Sequence, residues 1–79
     1  MENSSVQRRV VGIKQARKAV LSGNAVKVYI ALDASPALTD PLRALCAEHR
    51  IPVIEEESMA LIGRKCGIAV GSAAAADLK

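Results

Sequence analysis

Aromatic side chains are almost missing from this 79-residue chain, which has no tryptophan, no phenylalanine and a single tyrosine, Tyr29. Small RNA modules mostly stack bases on exposed rings, so the shortage argues against an RNA-recognition-motif sheet or a cold-shock barrel. Tyr29 itself falls in a stretch that reads as a buried strand. Any polyanion bound here has to be held by backbone amides, cations and aliphatic loops. Cysteine is scarce as well. Cys46 and Cys66 read as reduced thiols, because disulfides rarely persist in a cytosol. With His49 they offer three metal ligands where a structural zinc site needs four, so no metal is expected. His49 fits better near a helix end, where a partly protonated ring is favourable.

Long apolar runs are missing too. None approaches the roughly 20 residues of a membrane span. The start, Met1 to Ser5, puts no apolar core behind a charged beginning, so it does not read as a secretory signal. The expectation is a cytoplasmic chain with no membrane partner, in which Asn3-Ser4-Ser5 carries no glycosylation meaning. Catalytic signatures are equally absent: no nucleophile elbow, no phosphate loop of the G-x-x-x-x-G-K-[ST] type and no G-x-G-x-x-G after a strand. The spaced glycines of "GRKCGIAVG" suit turns better than a nucleotide cradle, and His49 has no obvious Cys or Ser partner. Neither an enzyme nor a cofactor is expected.

What is present is an aliphatic core. Half of the residues (51%) are hydrophobic, with Val, Ile, Leu and Ala abundant. A chain this short buries only about 60% of its unfolded surface, so one simple, well-packed domain over residues 1–79 is expected, with residues 1–9 as a loosely ordered start. The net charge of +3 is unevenly spread. Met1 to Ile30 holds six bases against one acid, Glu2, whereas Ala31 to Gly63 holds two bases against six acids. Such asymmetry points to a polyanionic partner or, more plainly, to a solvated basic face.

Periodicity gives the order of elements. Val10 and Val11 suit a short edge strand. Ile13, Ala16 and Val20 fall at helical spacing up to about Leu21, with Lys14, Arg17 and Lys18 on another face and Gly23 as the stop. "AVKVYIAL", Ala25 to Leu32, alternates Val26, Val28, Ile30 and Leu32 with Lys27, Tyr29 and Ala31, and its β-branched content favours a strand. A second helix is expected from Asp40 as N-cap and Pro41 at the first position to about Glu48, because Pro41 would break a helix already running. Its inner stripe would be Leu42, Leu45, Cys46 and His49. Pro52 to Ile54 reads as a strand parallel to the first, since a helical crossover separates them. Ser58 can cap a third helix to about Lys65, and Gly63, Gly67 and Gly71 punctuate the chain from there to the alanine run. The closing "AAAADLK" has helical composition, but a sheet this small needs a closing strand. The result is an α/β fold, a three-layer α/β/α sandwich with a small mixed sheet.

One stretch, "GIKQARK", is electrostatically odd. It sets Lys14, Arg17 and Lys18 in the first two turns of a helix, where a base is penalised by roughly 0.3–1 kcal/mol. An anion docked on the amides beside Gly12 would turn those cations to use, with Lys14 and Lys18 on phosphate. Lys14 and Gln15 can also donate to guanine or adenine edges. The plainer alternative is a helix start whose bases point into water.

The run "VVGIKQARKAVLSGNAVKVYIALDASP", then a helix containing "LC", then "IPV", then "ESMALIGRKCGI", resembles the L7Ae and L30e family of ribosomal and kink-turn RNA-binding proteins, especially its small bacterial members. The resemblance covers about Val10 to the C-terminus. It implies a sandwich that docks on a kink-turn, an RNA duplex sharply bent beside tandem sheared G·A pairs. The family's helix start, G-x-N-E-x-x-K, corresponds here to Gly12, Lys14, Gln15 and Lys18. The resemblance therefore implies Lys14 and Gln15 on the guanines, Lys18 on a phosphate and Arg17 as a further electrostatic contact. It also implies a second contact in the loop before the third helix, about Glu56 through Met59 and so including Glu57 and Ser58. This chain departs from the family there by carrying three consecutive acids, Glu55 to Glu57, which repel phosphate. Arg64 and Lys65, in the following helix, could offset that repulsion. Asp33 and Ser35 are assigned to capping and turns. The implied partner is a kink-turn RNA, of ribosomal or structured regulatory type, with the ribosome as a further partner and no DNA. The alternative is a protein-interaction module on the same fold, which the acidic run permits.

Overall fold

The computed structural model describes residues 8–67 and 71–79. Along them strands and helices alternate as β1 (Arg8–Val11), α1 (Ile13–Leu21), β2 (Ala25–Ala31), α2 (Pro36–Glu48), β3 (Val53–Glu56), α3 (Met59–Cys66) and β4 (Ala74–Leu78). The strands form one mixed sheet in the order β1-β4-β2-β3, with β2 and β3 parallel and β4 antiparallel to both of its neighbours.

Because successive strand residues point to opposite faces, the sheet carries two cores. Val28, Ile30, Ala74 and Ala76 meet Ala16, Val20, Leu42 and Cys46 from α1 and α2 on one face. Tyr29, Ala31 and Ala75 meet Ile62 of α3 on the other. The expected three-layer sandwich is therefore present. The alanine run supplies the expected closing strand, and it lies in the middle of the sheet rather than at its edge. Methyl side chains on both faces of β4 let helices approach it closely, and ladders with both β1 and β2 override the helical propensity of alanine.

Several boundaries differ from the sequence reading. The second helix starts at Pro36 behind Ser35 and runs through Pro41. Pro36 takes the first position, where no amide proton is needed. Pro41 then costs only the bond to the Ala37 carbonyl, and both residues are exposed, so water can take that carbonyl. The inner stripe of α2 is Thr39, Leu42 and Cys46, with Leu45 half-buried and His49 exposed at the C-cap. In β2, Ala25 pairs with Leu78 and Lys27 with Asp77, which leaves Val26 as an extra residue. That bulge resets the alternation: Ala25 turns into the core, and Val26, expected inside, is exposed. Leu32 lies just past the strand and is exposed as well. At the other strands, β1 already begins at Arg8 rather than Val10, and β3 runs on to Glu56. Gly63 is buried within α3, and Gly67, in the left-handed region at φ 75°, ends that helix. Of the expected loose start, residues 1–7 lie outside the described residues, whereas Arg8 and Arg9 belong to β1.

A charged cluster on the α3 face had no sequence signal. Asp77 of β4 is fully buried and accepts from Arg9 Nε at 2.5 Å and from the Tyr29 hydroxyl at 2.8 Å, with Lys27 Nζ 3.8 Å away. The Arg9 guanidinium also donates to the Lys65 carbonyl at 2.9 Å, tying β1 to the end of α3. Burial pushes the Asp77 carboxyl up, but the hydrogen bonds from Arg9 and Tyr29 and the charges of Arg9 and Lys27 outweigh it and hold the group below the usual carboxylate range. Tyr29 is raised, first by burial and then by its bond to Asp77.

The two cysteines are unbonded and sit on opposite sheet faces. Burial raises the Cys46 thiol, which packs as an inert apolar group. Among the described residues no helix is long and apolar enough to cross a membrane, and no group of three or more His, Cys, Asp or Glu side chains is placed to hold a metal.

Candidate nucleic-acid interface

Strand direction brings the helix starts together. Val11 at the end of β1 pairs with Ala75, Ile30 near the end of β2 pairs with Ala74, and Ala31 pairs with Glu56 at the end of β3. The carboxyl ends of β1, β2 and β3 and the first residue of β4 thus share one edge of the sheet. The helices α1, α2 and α3 each begin there. In open α/β sheets the crevice outside the carboxyl ends of the strands is where ligands dock.

At this edge Gly12 holds φ at 107°, a value that side-chain-bearing residues rarely adopt. Its amide donates to the Ala74 carbonyl at 2.7 Å, and its carbonyl accepts from Ala16 at 2.9 Å. The first turn of α1 is thereby pinned to β4, with a cap residue that has no side chain and no acid in the turn. Ala16, Ala19 and Val20 face inward, while Lys14, Gln15, Arg17 and Lys18 are exposed. Lys14 and Lys18, four residues apart, share one side of the helix, and Arg17 flanks them. Helix amides and cations therefore converge on the same solvent-facing spot, a disposition suited to an anion.

The second candidate contact begins at the same edge, below the other face of the sheet. Ser58 caps α3 through its hydroxyl, which accepts from Leu61 N at 3.2 Å. Asp33 reaches across from the β2–α2 loop, and its Oδ1 accepts from the Met59 amide at 2.8 Å. Ser35 is the N-cap residue of α2, with its carbonyl accepting from Leu38 and Thr39. Both residues thus take the capping and turn roles expected of them. The acidic run is split by strand alternation. Glu55 points to the α2 side and pairs with Arg43, whereas Glu56 points to the α3 side and pairs with Lys65 at 3.4 Å. Glu57 stays exposed at the edge beside Ser58 and the part-exposed Met59.

Arg64 and Lys65 are in the last turn of α3, roughly 10 Å along that helix from Ser58 and across the sheet from α1. Lys65 is also held 5.2 Å from the centre of the Tyr29 ring. The fold does not bring these two residues to the start of α1.

A segment that the sequence reading passed over joins the two contacts. Ser72 N donates to the Met59 carbonyl at 3.0 Å, and two residues later Ala74 accepts from Gly12. A Cβ on Gly71 would lie 2.9 Å from the Met59 carbonyl carbon and 3.0 Å from its oxygen, backbone atoms that cannot swing away. The last glycine of "GRKCGIAVG" marked this close approach, though it read as a turn. Gly71→Ala is expected to cost about 1–2 kcal/mol of stability. It should also speed hydrogen exchange at the Met59 and Ser72 amides in the intact protein. An unchanged melting temperature and unchanged exchange would show that the junction has slack.

A family model for the ribosomal protein L7Ae/L30e/S12e/Gadd45 family matches residues 2–79. The chain belongs to this family. It is 44% identical over 71 residues to an RNA-binding protein of Caldanaerobacter subterraneus subsp. tengcongensis, covering 90% of this chain and 87% of the relative. It is 37% identical over 70 residues to the RNA-binding protein YbxF of Geobacillus stearothermophilus, covering 89% and 85%. The solved structure of the Giardia lamblia 15.5kD RNA binding protein superposes with a TM-score of 0.84 at 30% identity, over 90% of this chain. The match spans 60% of that longer protein. The L7Ae-type sandwich and the family expected from the sequence are thus both found.

Proposed function

We infer that this chain is a non-catalytic RNA-binding protein that recognises a kink-turn and stabilises its bent form, as a cytoplasmic ribosomal or ribosome-associated component. One observation carries the reading. In a family whose relatives bear the name RNA-binding protein, the exposed Lys14, Gln15 and Lys18 surround an α1 start with no side-chain cap. Bases there work against the helix dipole unless an anion occupies the site, so the arrangement makes physical sense as half of a contact. An RNA that samples a bend brings phosphates close together, and cations placed where they crowd shift the population toward that bend. Gln15 and Lys14 would read purine edges in the opened groove. The protein-interaction alternative drew on the acidic run, and the pairing of Glu55 and Glu56 within the fold weakens that ground.

The test is a bend-sensitive fluorescence titration of a kink-turn duplex, with and without its tandem G·A pairs. Binding to the intact kink-turn is expected to be at least about tenfold tighter, to bend the RNA and to weaken steeply with salt. Equal, weak binding to both duplexes would reduce the interaction to charge attraction.

A further inference from the structure

The flank of α1 turned toward β1 is only partly covered. β1 has four residues at the edge of the sheet, and α1 packs mainly over β4, so a strip of apolar surface is left beside the helix. An open groove of about 470 Å³ runs there. Val10, Leu78 and Leu21 supply its apolar walls, and Gln15, Lys18 and Asn24 supply polar groups. Leu21 is 54% exposed, a large apolar side chain at the last position of an otherwise amphipathic helix.

We propose that this groove holds an unpaired nucleotide of the bound RNA, from a single-stranded stretch that continues beyond the duplex docked at Gly12. The proposal rests on the RNA-binding reading above and extends it. Its first support is continuity: Gln15 and Lys18 belong both to the groove and to the cationic start of α1. A strand leaving that start reaches the Asn24 end after roughly 13 Å, the length of the helix. Its second support is charge. Among the described residues none of those lining the groove is acidic, Lys18 is on its rim, and Arg8 pairs in register with Leu78 at the same end of the sheet. Chemistry completes the fit. A volume in the few-hundred Å³ range, mostly apolar with a few amide groups, suits a small planar ligand. Aliphatic walls pack a base face, the Asn24 amide donates to and accepts from a base edge, and Lys18 on the rim meets the phosphate where the duplex passes into the extension. Asn24 is well placed for this, because its backbone amide donates to the Ala19 carbonyl at 3.0 Å and its carbonyl accepts from the Lys79 amide at 2.9 Å.

The experiment compares the intact protein binding one kink-turn duplex in blunt form and with a short unpaired extension on each strand end in turn. One extended form is expected to bind about tenfold more tightly than the blunt form. Leu21→Ala and Asn24→Ala, each at an exposed position and without a change of charge, should erase that gain and leave blunt binding unchanged. Proton–nitrogen spectra should show the amides of Leu21 and Asn24 shifting with the extended RNA only. Equal affinity for all forms, or a gain that survives both substitutions, would overturn the proposal. So would a synthetic acidic amphipathic peptide that shifts those amides when the extended RNA does not, which would assign the groove to a protein partner. Failure of the kink-turn reading is separable, since it shows as indifference to the G·A pairs whatever the extension.

Discussion

Asp77→Ala is expected to lower stability by about 3 kcal/mol and the melting temperature by roughly 15 °C at neutral pH. The carboxylate is fully buried and holds three groups at once, so its removal leaves the Tyr29 hydroxyl without its acceptor and Arg9 and Lys27 without their counter-charge. Arg9 and Lys27 are part-exposed and can turn toward water, which keeps the loss at the lower end of the range for a broken buried pair. The sign of the pH dependence comes from the depressed native carboxyl. Its contribution is complete above the unfolded carboxyl pKa near 4 and is lost as pH falls through the lower native value. Thermal melts from pH 7 downward should therefore show wild type losing stability in acid while Asp77→Ala changes less, so that the two curves converge. Parallel curves separated by a constant gap would mean that the variant acts through packing alone. Asp77→Asn, which can keep an acceptor for Tyr29, should fall between the two.

This cluster marks the limit of what the chain discloses about its own fold. Short-range chemistry was readable: the amphipathic spacing of Ile13, Ala16 and Val20, the β-branched run of β2, the Ser58 cap and the crossover that makes β3 parallel. What could not be read depends on partners distant in sequence. Asp77 is one of seven residues in an alanine-rich tail until β4 threads between β1 and β2 and sets it beside Arg9, 68 positions away. Pro41 reads as a helix breaker until it and Ala37, whose carbonyl it leaves unpaired, are seen to face solvent. Val26 reads as core until the bulge opposite Asp77 turns it out. The candidate interface shows the same division. Gly12, Lys14, Gln15 and Lys18 are contiguous and carry their own electrostatic signal, whereas the Gly71–Ser72 junction with Met59 and the pairing that divides Glu55 from Glu56 exist only in three dimensions.

Lys14→Glu is expected to weaken binding to kink-turn RNA about 100-fold while raising the melting temperature by roughly 2–5 °C. The two signs are opposed for one physical reason. An acid in the first turn of a helix is favoured by the dipole by about 0.3–1 kcal/mol where a base is penalised, and Lys14 is exposed, so nothing in the core resists the change. On RNA the same substitution removes a contact worth about 1–3 kcal/mol and sets a carboxylate against phosphate. Two to three kcal/mol is roughly 30- to 150-fold in affinity. Arg17→Glu, on the flanking side of α1, should cost less, and Lys65→Glu, an equal change of charge, less again, since Lys65 is committed to Glu56 on the α3 face. Titration of the three variants against one RNA at fixed salt, with thermal melts of each, separates the possibilities. Losses ranked Lys14, Arg17, Lys65 locate the contact at the uncapped helix start. Equal losses at all three positions would mean that the RNA senses only net charge, and a Lys14 variant that still binds within threefold of wild type would move the interface elsewhere. A stabilised protein that no longer binds would identify the cost carried by the native helix as one kept for its ligand.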